Sequence, residues 1–303
     1  AERWLGSTTA QRVQPAMLAD WRAGRTGAAA SGSAGSAVRG SAGSRRRCRP
    51  ALTSFVASNP PCAVRVSSSR RWPDAMASVD PRIAVVTGAA SGIGAAISQR
   101  LVRDGWSVIG LDRTSAEPAD GMRFEVVDLA DIPAVAALCA GIGPVGAIIH
   151  AAGFMRTGGI EEFDPADGDR MYAVHVRALA LLVLNLTPGM GAGARIVAIG
   201  SRTSRGAKGK AQYAATKAAL TGLVRSFAIE LAPRGITANI VSPAATATPF
   251  LTRGDRAGVP PVLPPIGRYI EPAEVAGAVS FLLGPDAGAI TGQDILICGG
   301  ASL

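Results

Sequence analysis

Seven short apolar runs, each parted from the next by a stretch of helical length, constrain this chain more than any other feature. They are Ile83 to Val86, Val108 to Leu111, Phe124 to Val127, Ala147 to Ile149, Arg195 to Ile199, Thr237 to Val241 and Ile295 to Ile297. Short β-branched runs without polar alternation read as strands covered on both faces. A helix carried between successive strands makes those strands parallel. The pattern predicts an α/β fold: one doubly wound domain with a seven-stranded parallel sheet and helices on both faces. Ligands of such sheets bind beyond the carboxyl ends of the strands, near the reversal of strand order.

The alternation begins at about residue 81, and charge marks the same boundary. Residues 1–80 hold twelve arginines and no lysine against Glu2, Asp20, Asp74 and Asp80, whereas residues 81–303 hold nineteen basic and eighteen acidic groups. Nearly all of the net +9 lies in the first quarter. The high pI is therefore no sign of a basic patch on the folded part, and neither a nucleic-acid nor a membrane-surface partner is expected. Residues 1–80, with Ser31 to Ser36 and Arg45-Arg46-Arg47, lack sustained apolar periodicity and are expected to be disordered or dispensable. Their arginine- and serine-rich composition is also that of an organelle transit peptide, while Met76 stands directly before the first strand as a natural start. Cys48, Cys62, Cys139 and Cys298 have neither metal-like nor disulfide-framework spacing, which suits a reducing, cytoplasmic setting. No apolar run reaches about 18 residues free of charge, so no membrane span is expected.

Thr87-Gly88-Ala89-Ala90-Ser91-Gly92-Ile93-Gly94 follows the first strand and opens a helix. Glycines there let the backbone turn sharply and approach a pyrophosphate at a helix N-terminus, where unpaired N–H groups await an anion. Asp112 ends the second strand some twenty residues on, where a carboxylate accepts hydrogen bonds from the ribose hydroxyls of NAD and repels a 2′-phosphate. NAD is the expected cofactor. Arg113, next in sequence, leaves NADP open because a guanidinium also attracts phosphate.

Tyr213 and Lys217 lie four apart on a helix whose other residues, Ala214, Ala215, Ala218, Ala219 and Leu220, are small or apolar. That spacing stacks them on one face, so the ammonium favours the ionised phenol and makes Tyr213 a candidate acid/base. An accidental pair on a solvated face is the weaker account, since an unpartnered lysine on a partly buried helix is expensive. Ser201 stands twelve residues before the tyrosine.

Together these residues resemble the short-chain dehydrogenase/reductase family in its shorter form, over nearly all of residues 82–303. The resemblance implies a Rossmann-type domain in which Thr87 to Gly94 is the cofactor motif and Asp128-Leu129 contacts adenine. By the same resemblance Ser201 holds the substrate oxygen, Tyr213 exchanges its proton, and Lys217 bonds the nicotinamide ribose while lowering the tyrosine's pKa. No metal is required. His150-Ala151-Ala152-Gly153 stands where the family has Asn-Asn-Ala-Gly, and His175 where it has the catalytic-helix asparagine; these are the chain's two histidines. His175 is expected either to join a proton relay behind the lysine or simply to fill the space with a hydrogen bond. Pro243-Ala244 replaces the family's Pro-Gly, while Thr248 matches its amide-binding threonine. Ile290 to Gln293 resembles the C-terminal signature, which implies a homotetramer or homodimer.

Residues 244–270 break the alternation with five prolines and three glycines, Gly254, Gly258 and Gly267, and read as a substrate lid or an ordinary surface excursion. Phe250, Val259, Val262, Leu263 and Ile266 offer it apolar surface; Arg253, Arg256 and Arg268 offer positive charge. The leading expectation is an NAD(P)-dependent alcohol dehydrogenase or ketone reductase acting on a small to medium, largely uncharged molecule. The alternatives are a 3-oxoacyl carrier-type reductase and, in a different class, a nucleotide-binding scaffold that has lost turnover.

Overall fold

The computed structural model describes residues 82–117, 119–252 and 259–303. The expectations for residues 1–80 and for Arg253, Gly254, Arg256 and Gly258 lie outside them. Seven strands form one parallel sheet: β1 (Ile83–Thr87), β2 (Ser107–Asp112), β3 (Met122–Val126), β4 (Ala147–His150), β5 (Arg195–Ile199), β6 (Thr237–Pro243) and β7 (Asp294–Ile297). Their order is β3-β2-β1-β4-β5-β6-β7, so the strand order reverses between β1 and β4. The doubly wound sheet expected from the apolar runs is thus the observed one.

Alternate residues of each central strand enter opposite cores. Val85, Ile148, Ile196 and Ile240 face one side with α2 (Ile132–Ala140), α4 (Ala178–Leu186) and α5 (Ala211–Leu231). Val86, Ile149, Val197 and Val241 face the other with α1 (Gly92–Arg103) and α7 (Pro272–Leu283). Burial on both faces is why these strands carry no polar alternation. The edge strand β3 differs. It runs two residues earlier at its start than the Phe124–Val127 run, because the register is set by pairing from Val108 with Met122, and its residues are half-exposed.

Between β4 and β5, α3 (Pro165–Tyr172) passes through a five-residue π turn, Ala173–Arg177, into α4. The combined run Pro165–Gly189 is long and apolar enough to cross a membrane, with a mean hydropathy of 1.3 in its best window. The run nevertheless carries Asp167, Asp169, Arg170 and Arg177. More than half of that window is buried, with Leu179, Leu182 and Leu186 packed in the core. The helix belongs to the fold's interior.

The 244–270 excursion contains α6 (Pro249–Thr252) and is pinned by a bridge between Thr246 and Ile270. α7 then starts on a reciprocal capping box of Glu271 and Glu274. Arg268 clamps Glu274 at 2.7 and 2.8 Å and holds its carboxyl at about 2. That pairing, rather than a substrate's acid, occupies Arg268.

Candidate active site

The reversal between β1 and β4 opens a cavity of about 540 Å³ at the carboxyl ends of the strands. On one side stands the glycine loop. Gly88 has φ 69°, and a Cβ on it would lie 2.9 Å from the Cα of Ala152. A Cβ on Gly94 would fall 2.1 Å from the carbonyl oxygen of Gly88. Only glycine lets the β1 turn, the start of α1 and the end of β4 crowd together. Ser91 occupies the N-cap of α1 in extended conformation without a side-chain cap, so the first-turn N–H groups are left for a ligand.

Asp112 buttresses the same loop. One carboxylate oxygen accepts the Ala90 N–H at 3.1 Å, the other the Thr114 N–H at 3.2 Å. Asp128 accepts the Ala130 N–H and pairs with Arg170 at 3.2 Å, closing the side of the cavity next to Leu129. Ser91, Gly92, Ile93 and Arg113 line the cavity, as do Ala151, Ala152 and Gly153 beyond β4, Pro243 at the end of β6 and Thr248 beyond it. A dinucleotide cradle, bounded by a glycine turn, a helix N-terminus and a strand-end carboxylate, fits these surroundings.

Thr87 and His150 lie beneath this floor. The Thr87 hydroxyl accepts N–H bonds from Ala151 and Ala152 at 3.1 and 3.0 Å. Its own proton must then go to Nδ1 of His150, 3.0 Å away, and the other ring nitrogen donates to the Val174 carbonyl at 3.0 Å. The ring is therefore neutral and protonated on Nε2. Burial, with the Lys217 charge nearby, pushes its pKa down to about 3.

Across the cavity, β5 ends at Ile199 and presents Ser201, while α5 presents Tyr213 and Lys217. Buried positions 213, 217, 220, 224 and 228 trace one stripe of α5, and the sheet-facing stripe brings the polar pair in with it. Lys217, 5% exposed, donates to the Ile199 carbonyl at 2.8 Å, and its Nζ stands 5.9 Å from the Tyr213 ring centroid. Desolvation brings the ammonium down to about 8. The Tyr213 ring packs among Met155, Met171, Phe154 and Phe250, edge-on to His175 at 5.6 Å.

His175 does not line the cavity. Its Nε2 accepts the Phe154 N–H at 3.1 Å, which places its proton on Nδ1, and Nδ1 donates to the Thr216 hydroxyl at 2.9 Å. Thr216 in turn donates to the Tyr213 carbonyl at 2.9 Å. Burial holds the imidazole well below its usual range. Two hydroxyls escaped the sequence reading: Thr216, and Thr203, which bonds Ser201 and lines the cavity. The signal for each was a threonine beside a motif residue.

A family model described as "Enoyl-(Acyl carrier protein) reductase" matches residues 88–302. The 3-oxoacyl-(acyl-carrier-protein) reductase of Salmonella typhimurium is 34% identical over 244 residues, covering 74% of this chain and 98% of its own. The chain belongs to the short-chain dehydrogenase/reductase family. Another member, the 2,3-dihydro-2,3-dihydroxybenzoate dehydrogenase of Escherichia coli, is 31% identical over 72% of this chain and 96% of its own. Among solved structures of the family, a blue fluorescent protein from a metagenomic library, in complex with NADPH, superposes with a TM-score of 0.65. It is 31% identical and covers 73% of this chain and 98% of its own. Short-chain dehydrogenase/reductase membership makes this an oxidoreductase with NAD(P) as its cofactor.

Proposed function

We propose that the protein interconverts a secondary alcohol and a ketone, with Tyr213 as the acid/base. The observation that carries this reading is that Ser201, Tyr213 and Lys217 all line the cavity that the glycine loop also lines. Bound NAD(P) supplies hydride exchange at the nicotinamide. The chain's residues do the rest. Ser201 donates to the substrate oxygen and fixes it beside the phenol. Tyr213 gives that oxygen a proton in reduction and removes it in oxidation. Lys217 stands behind the ring as an ammonium, and its charge favours the phenolate over the phenol. Ser91 to Gly94 receive the pyrophosphate on backbone N–H groups.

Asp112, at the end of β2 beside Ala90, supports NAD over NADP because its charge opposes a 2′-phosphate. Phe154, Met155, Phe250 and Val262 give the substrate side an apolar wall, which suits a largely uncharged molecule. Arg202 and Lys210 line the same cavity and, with the likeness to the Salmonella reductase, support a 3-oxoacyl thioester as the second substrate class. Leu184 on α4, Ile229 on α5 and Phe281 on α7, at 68%, 76% and 50% exposed, support a homodimer or homotetramer joined through helix faces.

The test is a panel of alcohols, ketones and 3-oxoacyl thioesters with each cofactor, run on the native chain and on Tyr213→Phe. Turnover lost in the variant is the expected result. Cofactor binding without turnover of any panel member would replace the enzyme reading with that of a nucleotide-binding scaffold.

A further inference from the structure

We propose that Thr203 is a positioning residue that commits the Ser201 proton to the substrate; the inference rests on the alcohol–ketone reading above. A serine hydroxyl has one proton to give and two lone pairs to receive with. The backbone N–H of Thr203, which can only donate, takes one lone pair of Ser201 Oγ at 3.2 Å. The Thr203 hydroxyl lies 2.8 Å from the same oxygen, and either hydroxyl is able to donate to the other.

The two arrangements have opposite consequences. When Ser201 donates to Thr203, the serine proton is used up inside the protein, and the serine meets a ketone oxygen with lone pairs alone. When Thr203 donates, Ser201 accepts two bonds and its proton is left to point into the cavity, which both residues line. Each residue is 8% exposed, and among the described residues no other hydrogen bond reaches either hydroxyl. Among the described residues, no competing partner holds the Thr203 proton elsewhere. A substrate oxygen, being an acceptor, selects the second arrangement, and the chain Thr203 to Ser201 to substrate polarises in one direction. The strength of the serine's bond therefore depends on the Thr203 hydroxyl behind it.

The local fold gives the pair its fixed spacing. Ser201 is the N-cap of the 3₁₀ turn Arg202–Arg205, with its backbone extended at φ −162°, so Thr203 sits where a capped N–H belongs. The capping bond is made by the backbone and persists whatever side chain stands at 203. That separates structure from proton placement: Thr203→Val keeps the shape and the cap and removes the hydroxyl, whereas Thr203→Ser keeps it.

Both variants are to be assayed in the full chain, with the best substrate from the panel and saturating cofactor, beside Tyr213→Phe. Thr203→Val is expected to lower kcat about tenfold. KM for the cofactor and the melting temperature should change little, and Thr203→Ser should recover kcat to within about threefold. Undiminished kcat in Thr203→Val overturns the proposal, and so does a Thr203→Ser as impaired as the valine variant, which would mark a packing role. Turnover surviving in Tyr213→Phe overturns the underlying reading instead, and that control keeps the two failures apart.

Discussion

Lys217 Nζ donates to the carbonyl oxygen of Ile199 at 2.8 Å, tying the N-terminal third of α5 to the last residue of β5, two residues before Ser201. One buried ammonium thus fixes the spacing between the strand that carries the hydroxyl and the helix that carries the phenol.

That charge costs stability. Burial lowers the Lys217 pKa from 10.5 to about 8, so the folded chain binds its proton less tightly than the unfolded one. Stability is therefore expected to rise as pH climbs from about 8 to 10.5, and the cost is fully present at neutral pH. Lys217→Met should abolish turnover and, after allowing for the lost Ile199 bond, stabilise the fold by about 2 kcal/mol. Denaturant unfolding at pH 7 checks it; a destabilised, inactive variant would show the lysine to be structural.

In the free enzyme, kcat/KM for the reaction that needs the ammonium should fall above pH 8. The limb belongs to Lys217 because its folded pKa, lowered by burial, sits there. A profile flat to pH 10 would assign the charge no part in turnover.

The two histidines make the fold acid-sensitive. Each is neutral and buried, with its folded pKa below the ordinary 6.5, to about 3 for His150. The unfolded chain binds more protons between those values, so stability is intact above 6.5 and is lost as pH falls toward 3. The loss should run at about 1.4 kcal/mol per pH unit for each ring. His150→Asn is expected to flatten that slope, as read from melting temperatures between pH 7 and 4.

His175 has both ring nitrogens engaged, by the Phe154 N–H and the Thr216 hydroxyl. Such a ring is better built to hold the backbone behind Tyr213 than to pass protons. His175→Asn should leave the pH profile of kcat between 6 and 9 unchanged; a displaced limb would place the imidazole in the relay.

Asp112→Ala removes the charge that opposes a 2′-phosphate and leaves Arg113 facing the cavity. The ratio of kcat/KM for NADP to that for NAD should rise at least about tenfold, which needs only about 1.4 kcal/mol of differential binding. Steady-state kinetics with both cofactors decides it.

The central strands were legible because residues such as Val85, Val86, Ile148 and Ile149 are buried on alternate faces and leave uninterrupted apolar runs. β3 was legible only approximately, since an edge strand answers to the register of its neighbour rather than to its own hydropathy. The glycine loop, Ser201, Tyr213 and Lys217, singled out by motif spacing and family resemblance, line one cavity. What was hidden depends on contacts between distant segments. Thr87 meets His150 across 63 residues and His175 meets Thr216 across 41, and the direction of each bond follows from partners on a third segment. The π turn left no trace in composition.

That turn carries a geometric consequence. Ala173–Arg177 adds a residue to what would otherwise be a regular helix, and everything after it inherits the offset. Deleting one residue there would swing α4 by about 100° about its axis. Leu179, Leu182 and Leu186 would rotate off the sheet, and the carbonyl of Val174 would turn away from the imidazole below the cleft. The insertion acts as a phase correction between two helices that answer to different neighbours, one through Met171 to the Tyr213 ring and the other to the core.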